Sequence, residues 1–274
     1  MIQAGALEAH LRSRRHTGRK LLVPYVTGGL GDHWLEVIGA MAAGGADAVE
    51  VGIPFSDPVM DGPTIQEASQ RALDGGATPL GILGQLEGVD VDIPLVAMTY
   101  YNLVFRTGHR RFARSLAASG VSGAVVPDLP LEEVGDWARA ADDAAVATVL
   151  LASPVTPDDR LARICERTRG FVYGVSVMGI TGERQSLAES AAVMAKRLKA
   201  VTDKPVLIGF GVSTPSHAVE AAAEADGVIV ASALMRRLLD GASPEDLGAF
   251  VADVRAALDA DRVGTGRREA GLGP

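Results

Sequence analysis

Short apolar runs recur along the chain, separated by stretches in which apolar residues fall three and four positions apart. The runs are Leu21–Thr27, Ala48–Ile53, Leu95–Tyr100, Ala124–Asp128, Ala147–Ala152, Phe171–Ser176, Val206–Phe210 and Gly227–Ala231. Most are continuous Val, Ile and Leu rather than alternating apolar and polar, the pattern of strands covered on both faces of a parallel sheet. Between them His33–Ala43, Ile65–Leu73, Arg110–Ala118, Leu131–Ala141, Pro157–Arg167, Ala191–Ala200 and Pro215–Ala223 carry the spacing of amphipathic helices. This alternation predicts an α/β fold, a single-domain (β/α)8 TIM barrel over residues 1–260. An open doubly wound sheet is the runner-up, but no GxGxxG fingerprint follows the first strand. Gln3–Arg14 predicts an extra N-terminal helix closing the bottom of the barrel, and Pro79–Leu86 a short helix between the second and third strands. Residues 261–274 are polar and Gly-rich, and a disordered tail is expected there.

Composition removes several classes of function. A hydrophobic fraction of 47% over 274 residues is ample for one large core. The net charge is -8 and no basic stripe with interleaved aromatics appears, so nucleic acid is excluded as a partner. The basic cluster Arg12–Lys20 reads as solvated surface. The single cysteine, Cys165, permits no internal disulfide and shares a helical pattern with Leu161 and Ile164, so it reads as a buried structural thiol. There is no apolar run of about 18 residues and no signal-peptide pattern, so a soluble cytoplasmic protein without a membrane segment is expected.

In such a barrel the chemistry belongs at the C-terminal ends of the strands. The segment Glu50–Gln66, EVGIPFSDPVMDGPTIQ, puts one acid inside an apolar strand. It follows with a loop stiffened by Pro54, Pro58 and Pro63 that presents Asp57 and Asp61. Ionised carboxylates rarely sit among apolar residues unless paired or used. The four lysines fall before strands or on a helix, which disfavours a Schiff-base aldolase or a pyridoxal enzyme. The five histidines show no ligand spacing, which disfavours a histidine-bound zinc; magnesium on Asp57, Asp61 or Asp128 stays open. Acid–base chemistry by carboxylates remains. After the seventh strand IGFGVST, and after the eighth ASALMRRLL, suggest a phosphate cradle of backbone N–H groups and helix N-termini. The loop Val177–Ser190 has the make-up of a lid. Plainer roles compete: a turn hydrogen bond for Asp57, a helix cap for Asp128, and core packing for Tyr100 and Tyr173.

These blocks together resemble the tryptophan synthase alpha subunit family, the indole-3-glycerol phosphate lyases, whose signature is a glutamate strand followed by GxPFSDPxxDGPxIQ. PYVTGG, TYYNLVF, PDLPLEE, MGITG and GFGVS resemble further family blocks in the family's order, over nearly the whole chain. The resemblance implies retro-aldol-type cleavage of indole-3-glycerol phosphate to indole and glyceraldehyde 3-phosphate in tryptophan biosynthesis. It implies that Glu50 moves protons between the indole C3 and the substrate hydroxyl, that Asp61 holds the indole N–H, and that Tyr173 stands beside the glutamate. It implies an indole pocket walled by Met98 and Tyr100, with Tyr25 where the family has phenylalanine. Thr181 and Gly182 match lid residues, and Phe210, Gly211, Ala231 and Ser232 match the phosphate cradle. Two departures stand out: Ala231 replaces the family's usual glycine, which bears on phosphate affinity, and Val177-Met178 stands where some members carry Arg-Ser, which bears on lid closure. The resemblance further implies no cofactor in this chain and a beta-subunit partner carrying pyridoxal phosphate, in an alpha2beta2 heterotetramer. The partner is expected to dock around Pro54–Pro58 and Asp128–Pro130. A free-standing indole-3-glycerol phosphate lyase, or a weakly catalytic barrel that activates a beta subunit, are the alternatives, with a phosphosugar isomerase more remote.

Overall fold

The computed structural model describes residues 5–175, 184–209 and 211–270. Eight parallel strands close into a barrel in chain order: β1 (Leu21–Thr27), β2 (Val49–Gly52), β3 (Leu95–Met98), β4 (Val121–Val125), β5 (Ala147–Ala152), β6 (Val172–Val175), β7 (Val206–Gly209) and β8 (Gly227–Val230). Closure comes from β8 pairing with β1, Leu21 lying opposite Gly227. The barrel expected from the sequence is the one observed.

The helices are α1 (Ala6–His16), α2 (Trp34–Ala43), α3 (Pro63–Asp74), α4 (Pro79–Leu86), α5 (Tyr101–Thr107), α6 (His109–Ala118), α7 (Gly135–Asp143), α8 (Asp158–Arg167), α9 (Arg184–Lys199), α10 (Pro215–Ala222), α11 (Ser232–Leu239) and α12 (Pro244–Ala270). Two apolar clusters result, one between the strands and the helical ring and a smaller one inside the barrel. The inner cluster takes Leu21 and Val23 from β1, Ala48 beside β2, Val96, Val125, Val149, Phe171, Leu207 and Ile229. Because side chains alternate along a strand, this inner set fixes which residues further up point inward. Tyr25, Thr27, Glu50, Gly52, Met98, Leu151, Tyr173, Val175 and Gly209 have the inward parity.

The extra N-terminal helix closes the bottom as expected. Leu7 and Leu11 of α1 are fully buried in the inner cluster. Room for Leu7 comes from two glycines: a Cβ on Gly123 or on Gly170 would stand 2.6 or 2.7 Å from its Cδ2. The fourth strand is shifted along the chain. The expected fourth strand Ala124–Asp128 is instead Val121–Val125, because the chain pairs through Val121-Ser122-Gly123 and leaves the ladder before Pro127, which has no N–H to donate. The seven-residue α5 was not predicted, being too short to show a period. The last helix, α12, runs to Ala270, through much of the stretch 261–274 where a disordered tail is expected. Extending an existing helix fixes one residue per hydrogen bond, and the Arg, Glu and Ala residues of this stretch have high helix propensity. Cys165 is buried on α8, and burial pushes its thiol up. No described helix is long and apolar enough to cross a membrane.

The basic cluster is not merely solvated surface. Asp47, wholly buried ahead of β2, accepts the Leu22 N–H at 2.9 Å and pairs with Arg19 at 3.0 Å, Arg255 of α12 at 3.4 Å and Arg14 at 3.9 Å. Arg255 also donates to the Lys20 carbonyl at 2.7 Å and to Asp259. Arg12 and Arg15 reach Asp203 and Asp226. The lower rim is therefore an ionic clasp joining α1, β1, β2 and α12. Removing one member of a buried pair strands the charge of the other. Asp47→Ala should therefore lower unfolding free energy by about 3–5 kcal/mol in urea titrations, with activity retained in the folded fraction.

Candidate active site

At the upper mouth, β1 and β2 set two inward side chains opposite each other, Tyr25 facing Glu50 in the ladder. Each is only 2% exposed. The aromatic ring fits because Gly52 has no side chain: a Cβ there would lie 1.8 Å from the Tyr25 hydroxyl oxygen. The same device recurs across the barrel. A Cβ on Gly209 of β7 would lie 2.2 Å from Cε1 of Tyr173 on β6. In both cases a tyrosine leans over the glycine that lies two positions further up the next strand. Two glycines thus let two tyrosine rings fold across the mouth.

Among the described residues Glu50 has no cation beside it. Its Oε2 is buried without a hydrogen-bond partner among the described residues. Burial, with a smaller contribution from the charge of Asp61, pushes its carboxyl up to about 8. Asp61 sits in the loop between β2 and α3, and its Oδ2 accepts the Tyr100 hydroxyl proton at 3.0 Å. The Met60 N–H donates to that same Tyr100 oxygen at 3.0 Å, so one tyrosine anchors both the acid and its loop. Burial raises Asp61 to about 6, against the lowering effect of the Tyr100 bond. Tyr25, Tyr100 and Tyr173 are all raised, by burial first and then by the nearby carboxylates, so their hydroxyls stay protonated.

Both acids line one cavity of about 130 Å³, with Met60, Met98, Val125, Pro127, Leu151, Tyr173, Val175 and Gly209. At neutral pH the cavity therefore holds a neutral acid and an ionised one, among apolar walls. Environments that push two carboxyls apart assign them different roles in proton transfer. The Tyr100 ring stacks on that of Phe55, with centroids 5.2 Å apart.

The structure thus brings together Glu50, Asp61, Met98, Tyr100, Tyr173 and Tyr25 from the expected set. Gly211 lies exposed after β7, in open space where a side chain would meet nothing within 4 Å. Ala231 and Ser232 open α11, and no side chain caps that helix. Thr181, Gly182 and Phe210 lie outside the described residues, as do Val177 and Met178. Asp57 takes the plain role, accepting the Ser56 hydroxyl at 2.6 Å. Asp128 is a cap, but for α5: its Oδ1 accepts the Tyr101 N–H at 2.8 Å rather than serving the helix that follows it. Among the described residues no group of three or more His, Cys, Asp or Glu is placed to hold a metal ion. Sequence reasoning missed Gly52 and Gly209, whose signal is a glycine ending a strand two positions above a tyrosine's partner. It also missed Val125, Pro127, Leu151 and Val175, which look like any other barrel residues.

Comparison with known proteins follows the same lines. A family model described as tryptophan synthase alpha chain matches residues 11–256. The tryptophan synthase alpha chain of Thermobifida fusca is 40% identical over 260 residues, covering 93% of this chain and 96% of the relative. That of Streptomyces coelicolor is 42% identical over 245 residues, covering 86% and 88%. Among solved structures, tryptophan synthase of Mycobacterium tuberculosis superposes with a TM-score of 0.86 at 38% identity, covering 93% of this chain and 99% of that one. The alpha subunit from Legionella pneumophila superposes with a TM-score of 0.84 at 29% identity, covering 94% and 100%.

The unpaired burial of Glu50 has a consequence for stability. Its folded-state pKa lies above the unfolded value, so the native state holds the extra proton between pH 4.5 and about 8 and loses stability as pH rises through that window. Glu50→Gln removes the penalty. Denaturant unfolding should find the variant more stable than wild type at pH 8, by an amount on the order of a few kcal/mol, and nearly equal to it at pH 4.5.

Proposed function

The chain belongs to the tryptophan synthase alpha chain family, lyases that cleave indole-3-glycerol phosphate, and we propose that Glu50 and Asp61 carry that reaction here. The observation that carries the reading is the pair of carboxyls in one apolar cavity, one neutral and one ionised near pH 7.

The chemistry needs a proton at an aromatic carbon. Glu50, kept neutral by burial, gives its proton to C3 of the indole, and the ring nitrogen takes up the positive charge. Asp61, ionised and aligned by Tyr100, accepts the indole N–H and stabilises that charge. The bond between C3 and the carbon bearing the adjacent hydroxyl then breaks. Its electrons return to the ring, and the hydroxyl proton passes to the Glu50 carboxylate as the carbonyl of glyceraldehyde 3-phosphate forms. One proton enters and one leaves, so Glu50 ends as it began. Tyr173, beside Glu50, helps to place the ring. Met98, Val125 and Leu151 supply the apolar walls that an indole needs and that keep Glu50 dry.

The phosphate belongs at Gly211, Phe210, Ala231 and Ser232. An uncapped α11 offers free N–H groups and the positive end of the helix dipole, and Gly211 lets backbone come close. Thr181 and Gly182 belong to the lid. This chain needs no cofactor for the step. Its partner is a beta subunit, itself carrying pyridoxal phosphate, in an alpha2beta2 assembly. Supporting that reading, the loop after β2 shows Val59 79% and Met60 56% exposed, an apolar cost that a docked partner removes. A groove of about 480 Å³ along Val126–Leu131 shares Met60, Pro127 and Leu151 with the carboxylate cavity, which suits direct handover of indole.

Indole release from indole-3-glycerol phosphate should follow a bell-shaped kcat/KM profile with limbs near pH 6 and pH 8. Asp61 must be ionised, so activity rises through the lower limb; Glu50 must be protonated, so it falls through the upper one. Glu50→Gln and Asp61→Asn should each cut kcat by about 10²–10⁴-fold with the fold intact by circular dichroism. Wild-type cleavage by either variant would remove that residue from the mechanism. Adding a beta subunit should raise cleavage; strong activity that a beta subunit leaves unchanged would instead favour a free-standing lyase.

A further inference from the structure

Tyr25 has more to offer than a ring. It sits in the inward layer opposite Glu50, with its hydroxyl raised to the level of Gly52. The Thr27 hydroxyl, wholly buried on the same face, donates to the Tyr25 oxygen at 3.3 Å. A phenolic O–H lies in the plane of its ring, which leaves two positions for the proton. Thr27 occupies one, so the Tyr25 proton points the other way, and among the described residues nothing accepts it. A buried donor without an acceptor costs roughly 1–3 kcal/mol, and folded proteins keep few of them. Gly52 shares the inward parity of Glu50, so the hydroxyl that fills its side-chain space lies inside the barrel mouth, one layer above Glu50.

The strand order says which part of a substrate reaches it. β1 lies between β8, whose end opens α11, and β2, which carries Glu50. If the phosphate rests at α11 and the reacting carbon at Glu50, the arm between them passes over β1. The arm has two hydroxyls. One is on the carbon attached to the indole, and it loses its proton in the cleavage. The other is one carbon nearer the phosphate and does not react. We propose that Tyr25 is a substrate-positioning residue that donates its hydroxyl proton to this second, non-reacting hydroxyl, with Thr27 setting the direction of the donation. This deepens the function proposed above and rests on it. It also gives the site a preference for polyol arms: a substrate without that hydroxyl leaves the Tyr25 donor unmet.

The contact is made in ground state and transition state alike, so it should act on KM and not on kcat. The test compares wild type, Tyr25→Phe and Thr27→Val on two substrates. One is indole-3-glycerol phosphate; the other is its synthetic analogue lacking only the non-reacting hydroxyl, which can still be cleaved. For the natural substrate, Tyr25→Phe should raise KM on the order of tenfold with kcat unchanged within about twofold. For the deoxy analogue, Tyr25→Phe and wild type should have the same KM within about twofold. Thr27→Val should show the same selectivity with a smaller effect. Equal weakening of both substrates would reduce Tyr25 to a ring contact and overturn the inference. So would a fall in kcat with KM unmoved, which would put the hydroxyl on the reacting centre, or no change on either substrate. Failure of wild type to cleave either compound would overturn the functional reading itself, and this inference with it.

Discussion

The site depends on a carboxyl that the fold buries and does not neutralise. Glu50 stands in the wall of a closed barrel, where water is scarce and no arginine or lysine comes near among the described residues. The other deeply buried acid shows that the same chain can do otherwise. Asp47, at the lower rim, is met by three arginines and a backbone N–H. Burial raises both carboxyls, but arginines oppose the rise at Asp47, which ties elements together, whereas among the described residues nothing opposes it at Glu50, which keeps its proton. The contrast separates a stabilising end of the barrel from a reactive one, as expected where catalytic groups sit on the C-terminal face.

Around Glu50 the remaining parts have complementary duties. Asp61 is mobile in principle, being on a loop, yet Tyr100 fixes both its carboxylate and the neighbouring backbone with one hydroxyl. Tyr25 and Tyr173 close over the mouth because Gly52 and Gly209 give them room. A methyl at either glycine would collide with a ring, so the two positions matter to the site though neither carries any chemistry. The apolar walls do a second job. They accept an indole, and by excluding water they maintain the difference between the two acids on which proton transfer depends.

Much of this was legible in the residues. Continuous Val/Ile/Leu runs gave the parallel strands, and a glutamate inside Ala-Val-Glu-Val-Gly-Ile marked the acid, because nothing in that run could pair with it. The bottom-closing α1 followed from its helical spacing. The less legible features arise from tertiary packing. Tyr101–Thr107 is too short to show a period, and β4 begins earlier than its apolar run because Val121 already pairs with Leu95, ahead of the Ser122-Gly123 that interrupts the run. Arg14 and Arg19 looked like surface, since their partner Asp47 and the clasping Arg255 are distant in sequence. A helix cap was one of the roles open to Asp128, and it caps α5 rather than the helix that follows it, a contact that arises from the side-by-side pairing of β3 and β4.

The most direct test of the account is the protonation state of Glu50 itself, observed without turnover. An infrared difference spectrum of wild type minus Glu50→Gln, recorded near neutral pH, isolates that one carboxyl. A carbonyl stretch of a protonated acid, fading only as pH passes about 8, is the result required by burial without a counter-ion. A carboxylate signal already present at pH 6 would contradict it, and with it the assignment of Glu50 as the group that protonates the ring.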